Sequence, residues 1–188
     1  MMAAVAGCPG SGKSTLAELV CEELNRRRPG LAAVFPMDGF HFDDAVLTQK
    51  GRLAHKGAID TFDAHGFRHM LQRLKANEDD VVAVPVFDRS LEIARAGARL
   101  IGRDTGIIIC EGNYLLMRDE PWDRLKPIFD LTVLVDVEIE ELRRRLEERW
   151  AGFGLDADTI RRKVDGNDLV NAMNIMRRST EPDLRIKN

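Results

Sequence analysis

The chain has 188 residues, 44% of them hydrophobic and 31% charged, with a net charge of -3. That size suits one domain able to bury roughly two-thirds or more of its unfolded surface. The balance excludes a general nucleic-acid binder, and no apolar run approaches the ~20 residues that span a bilayer. Cys8, Cys21 and Cys110 are widely spaced, which speaks for a reducing cytoplasm and against a zinc or disulfide framework. No secretory leader is read.

The first apolar run, Ala3 to Ala6, leads directly into GCPGSGKST, residues 7 to 15. Gly7-x-x-x-x-Gly12-Lys13-Ser14 matches the phosphate-loop pattern, between a predicted strand and a predicted helix. Glycines such as Gly7, Gly10 and Gly12 let the backbone curl so that its N–H groups face one anion. The helix N-terminus adds positive potential around Ser11 to Thr15. Lys13 then reaches the outer phosphates and Ser14 offers its hydroxyl to Mg²⁺. A nucleoside triphosphate is the expected ligand, ATP with Mg²⁺ in the kinase reading. The helix behind the loop carries Leu16, Leu19, Val20 and Leu24 on one predicted face, has Arg26 to Arg28 at its end, and stops at Pro29-Gly30.

A second strand over Leu31 to Phe35 delivers FPMDGFHFDDAVL, residues 35 to 47. Asp38 falls just beyond that strand, where open parallel sheets bind ligands. An acid there can take the proton of an attacking hydroxyl; the competing role is to cap a turn. Gly39 allows the turn. His41 can bond an acceptor hydroxyl or pack in the loop. Asp63 caps a helix running to about Ala76, and Val81 to Val86 reads as a further buried strand. Ile107 to Cys110 is another, and it delivers EGNYLL. Glu111, at its C-terminal end, is the candidate acid on the metal side. Asp136, at the end of the run Leu131 to Val135, competes for that role, but a helix-capping function suits it better.

Helices follow at Ile139 to Trp150 and at Asp158 to about Met176, then a last strand near Asp183 to Ile186. Strands alternating with helices predict an α/β fold, a mainly parallel sheet with helices on both faces. Leu142, Leu146 and Trp150 form one stripe of the first of these helices. Arg145 and Arg149 lie four apart on another face, where they repel until an anion arrives; a Glu141–Arg145 pair is the alternative. Asn167 and Asn171 share a helical face, and Asn171 is a candidate nucleotide contact. His55, His65 and His69 have no partner at metal-ligand spacing.

GCPGSGKST, MDGFH, PVFDR, EGNYLL and the arginine-rich helix, in that order, resemble the phosphoribulokinase/uridine kinase family of P-loop kinases, with fructose-transport-system kinases as the most similar members. KGAIDTFD, residues 56 to 63, is similar to the related pantothenate kinases. The resemblance implies a three-layer P-loop NTPase fold in a single domain, residues 1–188, with an arginine-bearing lid at about 138–156. It also implies Asp38 as general base, Glu111 beside the magnesium, Asp88 and Arg89 as acceptor contacts, and Arg145 and Arg149 closing over the transferred group. Phe40-His41 looks like the sugar-phosphate kinases of the family. The pyrimidine-reading tyrosine–aspartate pair of uridine kinases is absent, since Phe87-Asp88 stands there. The implied acceptor is a sugar such as fructose, with pantothenate or a nucleoside as alternatives, and the implied assembly is a homodimer. A switch GTPase is excluded by the lack of Asn-Lys-x-Asp. A non-catalytic nucleotide-binding partner of another protein is the remaining class. The first strand starts almost at Met1, so a native start further upstream is expected.

Overall fold

The computed structural model describes all 188 residues. Five short runs with little polar content form one sheet: β1 (Met2–Gly7), β2 (Ala32–Pro36), β5 (Ile107–Gly112), β6 (Leu131–Asp136) and β7 (Leu184–Lys187). They lie in the order β2-β5-β1-β6-β7, all parallel. β1 is buried along its whole length, as a central strand covered on both faces must be. With helices α1 (Lys13–Arg27), α3 (Ala64–Ala76), α4 (Ile139–Gly152), α5 (Ala157–Lys163) and α6 (Leu169–Arg178) around it, the sheet makes the expected three-layer architecture. A short α2 (Asp44–Gln49), capped by Asp43, was not anticipated.

Three sequence expectations change. Val81 to Val86 is not part of the parallel sheet. It belongs to β3 (Val81–Asp88), which pairs antiparallel with β4 (Ile93–Gly102) in a separate two-stranded ribbon. Val82 and Val84 are buried while Val81 and Ala83 are exposed, so a strand covered on one face hides its alternation behind small and β-branched residues on the open face. β4 escaped notice because Arg95, Arg99 and its glycines dilute the apolar signal. On α1, Leu19 and Val20 face solvent, at 57% and 41% exposure, and the buried contact is made through Ala17 with Leu16, Cys21 and Leu24 beside it. The expected helix over 158–176 is interrupted by a π-helical turn, Val164–Asp168.

The C-terminal strand is locked to its neighbour by a side chain. Asp183 Oδ2 accepts from Thr132 N at 2.8 Å and Thr132 Oγ1 at 2.7 Å, and Thr132 Oγ1 accepts from Asp183 N at 3.0 Å. β1, β2 and β5 end on one side of the sheet, and the turns after β2 and β5 rest on an aromatic bed. Phe35 stacks on Phe67 at 5.4 Å, Phe40 meets Phe67 edge-on at 5.2 Å, and Trp122 joins Phe62 to Tyr114 at 6.0 and 5.5 Å. Such pairs add to the burial of large rings and fix their orientation.

Phe67 is fully buried at the centre of this bed. Phe67→Ala should lower stability by about 3–5 kcal/mol, read as a lower urea midpoint with an unchanged m-value.

Candidate active site

The loop between β1 and α1 has the shape its sequence demands. Gly10 and Gly12 stand at φ 80° and 84°, in the left-handed region where a side chain would be strained. Ser11 is buried in the loop, and Lys13, only 9% exposed, sits under it. Thr15 and Ser14 occupy the first turn of α1. Asn188 Nδ2 donates to Ser11 O at 2.9 Å, so that carbonyl points toward the C-terminal end of the chain. A trans peptide carries its N–H opposite its C=O, so the following Gly12 N–H is turned the other way.

Glu111 lies near the end of β5, between β1 and β2 in the sheet, opposite Val5 on one side and Pro36 on the other. It is 6% exposed, and Ser14 Oγ donates to its Oε2 at 2.9 Å. Burial pushes the Glu111 carboxyl above its ordinary range against the pull of Lys13, and the nearby Asp38 charge adds to the push. Asp136 is engaged elsewhere, accepting from Arg185 at 3.4 Å, so Glu111 alone joins the loop hydroxyl.

Asp38 sits in a 3₁₀ turn, Met37–Phe40, just past β2. Gly39 is required there by close approach, since a Cβ would meet Pro85 O at 2.4 Å. Burial opposes ionisation of Asp38, but His41, Arg89, Lys13 and Arg149 outweigh it and hold the carboxyl below the usual range. Arg89 Nη2 donates to Asp38 Oδ2 at 2.8 Å. His41 Nδ1 lies 2.8 Å from Asp38 O, and its ring rests between Phe62 and Phe87 at 4.0 and 4.7 Å. Burial, ahead of the opposing Asp38 charge, pushes the His41 imidazole below its ordinary range.

These groups open on a cavity of about 330 Å³ that brings together Lys13, Asp38, His41, Arg89, Arg149 and Asn171, within the range of small-molecule sites. Arg149 makes no hydrogen bond or ion pair within the chain. Burial pushes its guanidinium down, Arg89 adds to this, and the Asp168 and Asp38 charges oppose it. Its neighbour Arg145 is differently placed. It donates to Glu141 at 2.7 Å and lies against Gly10 O at 3.4 Å, outside the cavity. Arg144 is held by Glu141 and Glu148, and Arg143 by Asp165 and Glu147.

One other expectation shifts. Asp88 does not line the cavity. Its Oδ1 accepts from Ser90 N and Oγ at 3.0 and 2.6 Å, and its Oδ2 from Arg95 at 2.9 Å, so it caps the ribbon turn, as short carboxylates do in Asx geometry. Asn171 lines the cavity together with Asp38 and with Pro9 and Lys13 of the phosphate loop. It is buried, and its Nδ2 is spent on Asn167 Oδ1 at 3.2 Å. Among the wall residues that the sequence did not mark as site residues are Lys56, Asn113, Trp150 and Asp168. Lys56 Nζ binds Asp44 at 2.6 Å and Glu92 O at 2.5 Å, and Trp150 Nε1 donates to Asp168 at 2.7 Å. Lys56 opens KGAIDTFD and Asn113 follows the Glu111-Gly112 pair, whereas no spacing exposes Trp150 or Asp168 as wall residues.

Comparison with known proteins agrees with this geometry. The sequence profile of the phosphoribulokinase / uridine kinase family matches residues 2–179. A protein of Schizosaccharomyces pombe provisionally named uridine kinase is 31% identical over 96% of this chain and 80% of its own length. A crystal structure from Silicibacter sp. TM1040, provisionally named fructose transport system kinase, superposes with a TM-score of 0.89 at 40% identity, covering 98% of this chain and 88% of that one. The pantothenate kinase of Myxococcus xanthus is 30% identical over 78% of this chain, which spans only 48% of that enzyme. The loop, the acids at the strand ends and these matches lead to one conclusion: the chain belongs to the phosphoribulokinase/uridine kinase family of P-loop kinases, ATP-using phosphotransferases with an alcohol group as acceptor.

Proposed function

We propose that the protein phosphorylates a hydroxyl of an uncharged sugar, fructose or a close analogue, at the expense of ATP·Mg²⁺ in the cytoplasm. The observation that carries this is the charge balance of the cavity. Lys56 is neutralised by Asp44 and Arg89 by Asp38, so the cations nearest the acceptor end are already taken. Lys13 and Arg149 are left for phosphate oxygens. A carboxylate acceptor such as pantothenate would have to compete for a cation already engaged by Asp44, by Asp38 or, for Lys163, by the face of the Trp150 ring, whereas a polyol suits a wall of amides, carboxylates and a histidine. The 40% identity to a protein named for fructose transport supports the same choice.

In this reading Lys13 and the loop N–H groups hold the outer phosphates. Ser14 Oγ and Glu111 Oε2 suit Mg²⁺: their 2.9 Å separation matches adjacent corners of an octahedron with metal–oxygen distances of 2.0–2.1 Å, about 2.9 Å apart. When bound, Mg²⁺ neutralises charge on the phosphates. Asp38 takes the proton of the acceptor hydroxyl as its oxygen bonds to the γ-phosphorus and the bond to the leaving ADP oxygen breaks. Arg89 must loosen its hold on Asp38 for that transfer. Arg149 moves onto the transferred group, where charge develops. Asp88 has no part in proton transfer.

ADP release measured over sugars, polyols, uridine and pantothenate should be strongest with fructose or another neutral hexose. Preference for pantothenate or uridine would overturn the sugar assignment. Asp38→Asn should cut kcat by roughly 10²–10⁴-fold with KM for ATP nearly unchanged; near-normal turnover would leave Asp38 a turn former only. Arg149→Ala should cost on the order of 10³-fold in kcat. Arg145→Ala should cost far less, because its guanidinium is already held by Glu141; equal losses would show that both reach the transition state.

A further inference from the structure

The edge strand β7 is pinned in a way its own packing does not explain. It pairs with β6 alone, and all of its residues are exposed, so it adds little to the core. Polar contacts nevertheless hold both of its ends. Asp183 locks the start to Thr132, and at the finish Asn188 N donates to Asp136 O at 3.0 Å. Pinned in this way, the strand delivers one side chain to the phosphate loop. Asn188 Nδ2 donates to Ser11 O at 2.9 Å, and it lies where a Cβ on Gly12 would come within 2.8 Å of it.

Ser11 is buried, so its carbonyl needs a partner, and Asn188 is the one it has within the chain. The Ser11 N–H is spent on Cys8 O at 3.0 Å, whereas the Gly12 N–H has no partner within the chain. That N–H points away from the Ser11 carbonyl of the same peptide. It belongs to the run of amides with which such a loop cradles phosphate. Fixing the carbonyl therefore fixes the N–H. Without the Asn188 amide a buried acceptor is left unpaired, at a cost that rotation of the Ser11–Gly12 peptide relieves. Glycine makes that rotation easy, and the rotation takes the N–H off the anion.

We propose that Asn188 is a positioning residue for the nucleotide: its side-chain amide holds the Ser11–Gly12 peptide in the orientation that binds a phosphate oxygen. It touches no reacting group and acts through the loop alone. The inference rests on the loop's binding of a nucleoside triphosphate and is independent of the sugar assignment. Its consequence falls on affinity. A contact made equally to ground state and transition state changes KM for ATP and leaves turnover at saturation alone.

The test measures dissociation constants for ADP and for a non-hydrolysable ATP analogue, each with Mg²⁺ and with no acceptor present. Asn188→Ala should weaken both by about 3- to 10-fold, the worth of one neutral hydrogen bond. In turnover with the best acceptor found, KM for ATP should rise alike, while kcat and KM for the acceptor stay near wild type. The thermal midpoint of the nucleotide-free protein should move little, and the rise in midpoint that nucleotide produces should shrink. A residue that only fastens β7 would instead lower the nucleotide-free midpoint and leave the dissociation constants as they were. Asn188→Leu, which keeps the volume without the donor, should behave like the alanine variant and carries the comparison if that variant folds poorly. Unchanged nucleotide affinity would overturn the proposal, as would weaker affinity accompanied by a large fall in the nucleotide-free midpoint. Because the binding measurement uses no acceptor, failure of the sugar reading leaves its outcome standing.

Discussion

The site depends on keeping two carboxylates charged and close inside the protein. Asp38 and Glu111 end adjacent strands, and each raises the cost of ionising the other. Desolvation alone would leave both neutral and useless as proton acceptor or metal ligand. The remedy is asymmetric. Asp38 is surrounded by His41, Arg89, Lys13 and Arg149, and its pKa ends below the ordinary range. Glu111 has Lys13, the Ser14 hydroxyl and a weaker pull from Arg89, and its pKa ends above it. Asp38 is therefore poised in its ionised form, and Glu111 has more to gain from a further cation placed beside it.

That arrangement requires rigid ground beneath it. Parallel strands supply the spacing, and the aromatic bed of Phe35, Phe40, Phe67, Phe62, Tyr114 and Trp122 fixes the turn that carries Asp38. The antiparallel ribbon reaches over this ground and delivers Arg89. Lys56 ties the ribbon to the segment before it, over the Phe87 ring at 5.1 Å and onto Asp44. On the far side α4 and the π-helical turn face each other through Trp150 and Asp168, with Lys163 over the indole at 4.4 Å. π-turns recur at functional sites because they re-aim side chains without ending the helix. Here Asp168 ends one inside the cavity wall. The fixed elements carry Lys13, Asp38 and Glu111, whereas Arg149 hangs from a helix end with no partner within the chain. This division suits a rigid reaction centre with a closing arm.

Much of this was legible in the sequence because it is local. The phosphate loop is a contiguous pattern, since the anion is held by consecutive N–H groups and by the first turn of the following helix. Asp38 and Glu111 were readable because each directly follows a short apolar run, and a parallel sheet places such positions on one side. The resemblance of five ordered segments supplied the family and thereby the expected lid. Where two neighbouring side chains differ in their surroundings, as Arg145 and Arg149 one helical turn apart or Asp88 and Arg89, spacing gave no answer.

The sequence by itself thus determined the nucleotide loop, the class of fold and the two acids, because strand order and helix period encode them over short distances. Only the tertiary structure decided that β3 leaves the sheet for a ribbon, that Arg89 pairs with Asp38 while Asp88 caps a turn, and that Arg145 is held by Glu141 while Arg149 is free. It alone brought Lys56, Asn113, Trp150, Asp168 and Asn171 to one wall. Those residues lie up to more than a hundred positions apart, in the segment after α2, the turn after β5, α4, the π-helical turn and α6. No periodicity along the chain records such a meeting, because the side chains that make it are chosen for the space they share across elements.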